Sequence, residues 1–575
     1  MNQLFRAAAA ICAAAIVALA PARAELPKVL DHVSPDAVAV IATPNLGKLD
    51  ANASQLTAVM GMPQLVSLRQ AMQMVGIRDG VNFDGSMAIV LLDGDMDAPV
   101  PPAIAIIPTS NHASLMQGFG ATTDGAISSF SFNGEQVFAT QMAGGYTVMG
   151  PVRELVAGYG NQRGHMATHR QTLGRAGIKI AERSDVMMMA AVEALTPAIE
   201  GMINNMREGA QMAAAMGAGD PDQMEAGLAA MEGMLTTVKE DGRSIVGGVT
   251  TGALGLGFDM GVVFRDGTDS AAMFQRGGRA GTMLARLPGS PFMLAGAVDM
   301  QHPMMRAFFK GAMDMQAAQQ EALPGVFGAL NFNAMMEDMK GQAWALYPNP
   351  AGPMAGLLAN TIIYTEVGNP KHFVEQTKEM FGKITPGPEN PMQGVFTSGV
   401  TEINGHSVDG WELRLDQTNP MAGQMMMGMN MVFGPGGLNG YLMATDSGVY
   451  QTLSKNSQLL RDAIGAGRGA SMADHAMIKQ IGERMPSGRV AEGYLNLKPI
   501  LDQVMPFVMM FGMPPLDVPA ELPPIGGGLA SEDGAMVMSG FVPAQVLKLG
   551  ASIAEQVQDM APPGGQGGGG GRPRF

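Results

Sequence analysis

Four times along the chain a short apolar strand runs into a capped helix, and this repetition constrains the fold more than any other feature. The strands start at Ala37, Val186, Phe292 and Val490. In the first copy Ala37 to Ala42 reads as a strand and Pro44-Asn45-Leu46 as a helix entry, with the Asn45 side chain able to accept a bond from a first-turn amide. Leu65, Leu68, Met72 and Val75 then recur at helical spacing. Two strands near Met87 to Leu92 and Ile104 to Pro108, and a short helix from Asn111, close the unit. The second and third copies end their strands in Glu193 and Asp299, each with a proline four residues on (Pro197, Pro303), and a proline in the first turn sacrifices no useful donor. The fourth gives Val490 to Leu495, Asn496 as cap, an apolar helical face of Leu497, Leu501, Val504, Met505 and Val508, a strand pair near Gly528 to Phe541 and a helix from Pro543.

A second block lies between copies one and two and again between three and four. Asn133-Gly134 and Asn404-Gly405 mark its hairpin turns, and Gly145-Tyr146 and Gly440-Tyr441 open its next strand. These signals predict an α+β fold with duplicated halves of βαββα-like units, mostly antiparallel sheets with helices on one face. The halves divide as 25–285 and 286–560, after a leader over 1–24 and before a Gly-rich tail over 561–575 whose composition cannot build a core. Pro35-Asp36-Ala37-Val38-Ala39-Val40 leading into Asn45-Leu46, with the later Gly144-Gly145-Tyr146-Thr147, resembles an uncharacterised family of large exported bacterial proteins with duplicated α+β halves, a domain of unknown function. The resemblance implies a fold and no activity.

The leader reading rests on Arg6, the apolar run Ala7 to Ala20 and Ala22-Arg23-Ala24, a small-x-small cleavage site that would make Glu25 the first mature residue. N-terminal sequencing of exported protein should therefore begin at Glu25, and a retained Met1 would refute the leader. A periplasmic or secreted location follows, without a transmembrane segment after cleavage. Cys12, the single cysteine, would leave with the leader, which removes disulfides, thiolate nucleophiles and sulfur-rich zinc sites from the mature chain. The 36 basic against 51 acidic residues argue against nucleic acid as a partner, since phosphate binding needs a basic patch. Trp344 and Trp411, the two tryptophans, are too few for an aromatic sugar platform.

No catalytic residue, cofactor or metal site emerges from the motifs. His165 and His169 have metal-ligand spacing, but Met166 stands where a metalloprotease needs its glutamate, and solvated histidines on a polar connector explain them better. Asp93, Asp95 and Asp97 begin like a calcium loop whose glycine and bidentate glutamate are replaced by Ala98 and Ile104. Ser471 with His475 nearby suggests a hydrolase, yet the flanking sequence lacks the strand and final glycine of a nucleophile elbow, so Ser471 reads as a helix cap. Gly255, Gly257 and Gly261 alternate with Leu254, Leu256, Phe258 and Val262, which says strand, not dinucleotide loop. The cluster Met425, Met426, Met427, Met429 and Met431 could bind Cu(I) or be a flexible loop.

Methionine, at 53 residues, is the compositional outlier, and an unbranched thioether repacks around varied shapes. A helical pair, Ile199 to Met216 and Pro221 to Lys239 with Asp220 as cap, concentrates it. Met202, Met206, Met224, Leu228, Met231 and Leu235 form a possible apolar contact surface there, with a closed helical hairpin as the plainer alternative. The expected function is an exported non-enzymatic binding or scaffolding protein with an unknown protein or apolar ligand as partner. A periplasmic carrier of apolar ligands and an unrecognised serine hydrolase are the alternatives.

Overall fold

The computed structural model describes residues 25–61, 67–74, 77, 79–94, 102–132, 134–215, 221–310, 337–352, 355–387, 390–419, 422–466, 471–510 and 518–560. They form an α+β protein around a single antiparallel sheet of 20 strands. The first half supplies β1 (Ala39–Thr43), β2 (Met87–Leu91), β3 (Ala103–Pro108), β4 (Thr122–Asp124), β5 (Ile127–Phe132), β6 (Glu135–Met142), β7 (Tyr146–Gly150), β8 (Val186–Ala191), β9 (Gly242–Gly252) and β10 (Gly255–Phe264). The second supplies β11 (Leu294–Val298), β12 (Met339–Leu346), β13 (Thr361–Val367), β14 (Met392–Ile403), β15 (His406–Leu415), β16 (Asn439–Ala444), β17 (Gly448–Thr452), β18 (Arg489–Leu495), β19 (Ile525–Glu532) and β20 (Ala535–Pro543).

Their pairing makes the duplication explicit. Across the first half the order is β4-β5-β6-β7-β3-β2-β1-β8-β9-β10. The second half repeats it as β14-β15-β16-β17-β13-β12-β11-β18-β19-β20. The halves join where β10 pairs antiparallel with its own counterpart β20, and Asp259 faces Ser539 near the middle of that seam. Two-residue turns close both neighbouring hairpins, Gly252 to Gly255 and Glu532 to Ala535, so Asp259 and Ser539 occupy equivalent positions. A local twofold axis therefore passes between them. Within each half β1 pairs with β8, and β11 with β18, which sets the four repeated units side by side.

Each unit is built as its sequence dictates. Asn45 Oδ1 accepts the Lys48 amide at 2.8 Å, which fixes the entry to the helix Leu46–Val59, and Asn369 does the same for the helix Pro370–Lys383 through His372. The repeat helices pack on one sheet face: Leu49 against Ile41 and Val186, Ile199 against Ile245 and Val262, Leu501 against Ile525 and Val542. The one-face arrangement holds for these helices only. Helix Met166–Arg183 lies on the opposite face, with Ile180 over Gly248 and Gly261 and Gly177 against Val246, because the second block carries the chain around the sheet before β8 begins. That opposite face holds the two main cores, one around Val40, Val90, Ile106, Leu173 and Val246, the other around Phe292, Ala343, Ile362, Tyr364 and Leu460.

The second block needs a correction. By position in the sheet β7 answers to β17, so Gly145-Tyr146 corresponds to Ser447-Gly448, and Gly440-Tyr441 sits one strand away in β16. Asn404-Gly405 joins β14 to β15 with both residues at positive φ, and its counterpart by topology is the β4–β5 turn at Gly125. Asn133 lies outside the described residues. The mismatch arises because β4 is three residues long, β14 twelve, and a helix, Ala422–Phe433, separates β15 from β16.

Candidate functional site

Where the repeat helices part, the middle of their sheet face is left open by the described residues. Strand alternation places Met188, Met260 and Met538 in one cross-strand row, with Met188 reaching over Gly247. Phe258 stands in the adjacent row. These side chains are 44%, 49%, 43% and 42% exposed in that order, unusually open for bulky apolar groups in mid-sheet. None of the paired residues on this face between β8 and β18 is charged.

The Phe258 row continues as Gly540, Gly527, Gly493 and Gly296, four glycines on four neighbouring strands. The Phe258 ring lies across Gly540, and the Trp344 indole lies across Gly296. Between the two rings, a Cβ built on Gly527 or Gly493 would meet only a backbone carbonyl within 4 Å, that of Ser539 or Ala295, among the described residues. The result is a glycine-floored slot about 14 Å long, at ~4.8 Å per strand step, with an aromatic ring at each end and Met538 and Leu529 in the row beside it.

The helical pair forms as Val192–Ala215 and Pro221–Asp241. Near the sheet Val192, Leu195, Ile199, Ile203, Leu235 and Val238 pack with Ile245 and Val262. Farther out Met202 and Met231 are exposed, Met206 and Leu228 half-buried, and Arg207 forms a bidentate bond to Glu232. The side chain of Met224, with Asp220 and Met216, lies outside the described residues.

The other chemical candidates resolve individually. His169 is buried, not solvated: its Nε2 bonds the Val33 carbonyl at 2.8 Å, and burial pushes its pKa down. His165 instead meets the Gln162 side chain, and the expected connector is helical from Met166, interrupted where Gly174 takes φ 59°. Ser471 Oγ donates to Asp474 at 2.6 Å, whose carboxyl is held low by that bond and by Lys479. His475 Nδ1 has no hydrogen-bond partner among the described residues, and its ring meets Phe292 edge-on. Ser471 does precede a short helical turn, Met472–Asp474, but its side chain bonds no amide of it. Gly255, Gly257 and Gly261 lie in β10. The Met425–Met431 cluster is helical, not a loop, with Met426, Met427 and Met431 exposed. Asp95 and Asp97 lie outside the described residues. Among the described residues no cluster of three His, Cys, Asp or Glu could hold a metal ion, and no helix is long and apolar enough to cross a membrane.

The slot is not legible in the sequence alone, although its signals are there. Alternation in β10 and the triple glycine Gly526-Gly527-Gly528 mark strands with bare positions; which bare positions lie side by side depends on register.

Fold and floor together define a duplicated α+β protein with an uncharged, glycine-slotted sheet face. No family model matches the chain, and no curated protein matches it. A solved structure described as crystal form III of TP0453 aligns over 47% of this chain and 97% of its own, at 8% identity and a TM-score of 0.21, a likeness too small to carry any argument.

Proposed function

We propose that this is an exported, non-catalytic binding protein that holds an extended aliphatic chain along the slot between Phe258 and Trp344. The observation that carries the reading is the run of four glycines across β20, β19, β18 and β11, above whose middle pair no side chain of the described residues comes within reach of a Cβ. A floor without side chains admits a chain of methylenes close to the backbone, the rings supply apolar ends, and Met538 can repack at its flank beside Leu529. The lack of charge among the paired strand residues of this face between β8 and β18 favours an aliphatic guest over a polar one. Export is supported by the leader-like start ending in Ala22-Arg23-Ala24. The hydrolase reading gains nothing from Ser471, whose hydroxyl is committed to Asp474.

Dansyl-labelled undecanoic acid, titrated into the chain from Glu25 onward, should bind saturably with a fluorescence rise. Valine at Gly493 or Gly527 fills the slot, suits a strand, and is expected to weaken binding about tenfold or more with the thermal midpoint unchanged or raised. Equal binding in both valine variants would sink the reading.

A further inference from the structure

On the other side of β18 the duplication is broken by charge. Met187 of β8, flanked by Ala42 and Gly248, is a fully buried apolar residue. Its counterpart in the second half, flanked by Ala297 and Gly528, is Glu492. The fold thus places methionine at this position in one half and a carboxylate with a fully buried side chain in the other. Burying a carboxylate is expensive, and an ion pair seldom repays the cost in stability.

Only half of this carboxylate is satisfied. Glu492 Oε2 accepts the Arg489 Nε–H and the Tyr494 hydroxyl, the latter at 3.2 Å. Arg489 Nη1 is committed to the carbonyls of Gly482 and Pro486 at 3.0 and 2.9 Å. Glu492 Oε1 is buried without a hydrogen-bond partner among the described residues, and Glu492 is one of the residues around an open pocket of about 370 Å³. Leu284, Ile478 and Met485 give that pocket an apolar side, and Lys479, Glu483 and Arg489 its remaining charges. Arg489 is paired with Glu492, Lys479 with Asp474 at 3.3 Å, and Glu483 lies within the field of Arg484, so the charges around the pocket balance.

We propose that this pocket is a binding site for a small protonated amine with an apolar body, whose ammonium donates to Glu492 Oε1 while its body rests on Leu284, Ile478 and Met485. A carboxylate oxygen with free lone pairs accepts a charge-assisted bond from such a donor and has no hydrogen to offer an anionic guest, which selects a cation over an anion. The site is independent of the glycine slot, since Glu492 and Gly493 point to opposite faces of β18.

Gly281 supplies a test that keeps both partners of the ion pair. A Cβ there would sit 3.0 Å from Arg489 Nη2 and 3.3 Å from Glu492 Oε1, so Gly281→Ala crowds the free oxygen with a methyl group while the guanidinium end gives way slightly. Benzylammonium and hexylammonium, titrated into the full chain by calorimetry with saturation-transfer NMR as a check, are expected to bind, and benzoate is not. Both Glu492→Gln and Gly281→Ala should weaken amine binding about tenfold or more. If Glu492→Gln does not fold, Gly281→Ala alone decides. Failure of both amines to bind, benzoate binding as well as they do, or amine binding unchanged in Gly281→Ala would each overturn the proposal.

Discussion

Replacing Arg183 by methionine is expected to cost about 3 kcal/mol of folding stability, seen as a lower urea midpoint at unchanged slope. Arg183 Nε reaches Asp259 Oδ2 at 2.7 Å, and the Asp259 side chain is 6% exposed where the two halves meet. Its other oxygen accepts the Ser539 hydroxyl from across the seam. Methionine keeps most of the arginine's bulk but leaves a carboxylate without a counter-ion in a place water barely reaches. Adding Asp259→Asn should restore most of the loss, because the charge is then gone and the amide oxygen can still accept from Ser539. A single-variant loss below about 0.5 kcal/mol would mean that Asp259 is solvated and the pair ornamental.

Two residues on, Asp185→Asn is expected to stabilise the protein above neutral pH. Burial pushes the Asp185 carboxyl up to about 7, against the lowering effect of the amide and hydroxyl of Thr251 and the charge of Lys48. With a folded-state pKa above the unfolded value of 3.8, the native state holds this proton more tightly. The group's contribution is therefore full below about pH 4 and is lost as pH rises to about 7. Asparagine keeps an oxygen for the Thr251 amide and carries no charge. At pH 8 the gain should be about 2 kcal/mol, a discounted share of the ~1.4 kcal/mol per pKa unit, since Asp185 is only partly buried. Thermal midpoints of the two proteins should converge toward pH 4 and separate toward pH 8; parallel curves would defeat the assignment.

What sequence revealed and what it hid divide along the range of the interactions. The strand starts expected at Ala37, Val186, Phe292 and Val490 lie within two residues of β1, β8, β11 and β18, because alternation, an Asn cap and a first-turn proline are all local. The α+β class and the order of elements in each unit follow from the same cues. The block between units was matched one strand out of step, since a hairpin turn looks alike whichever pair it closes. His169 was assigned to solvent because its neighbours are polar, yet its helix turns it toward Val33, which lies 136 residues away. The Met425–Met431 run, whose glycines allow a copper site or a flexible loop, is helical, a weak local signal that the fold overrides. Glu492 gives no local sign of its isolation; only the register, which sets it opposite Ala297 and Gly528, makes the comparison with Met187 possible.

The β10–β20 seam also orders events in time. A chain made or exported from its N-terminus completes β10 long before β20, a delay of some tens of seconds at the ~5–20 residues per second of synthesis. Throughout that interval the first half presents a ten-residue strand with one row of amides and carbonyls unpaired, of the very shape that its own later copy, or the same strand on a neighbouring nascent chain, can complete. The internal symmetry that ties the finished sheet together is thus, while the chain is incomplete, an invitation to pair with the wrong molecule, and correct assembly depends on the tethered partner arriving before a stranger does.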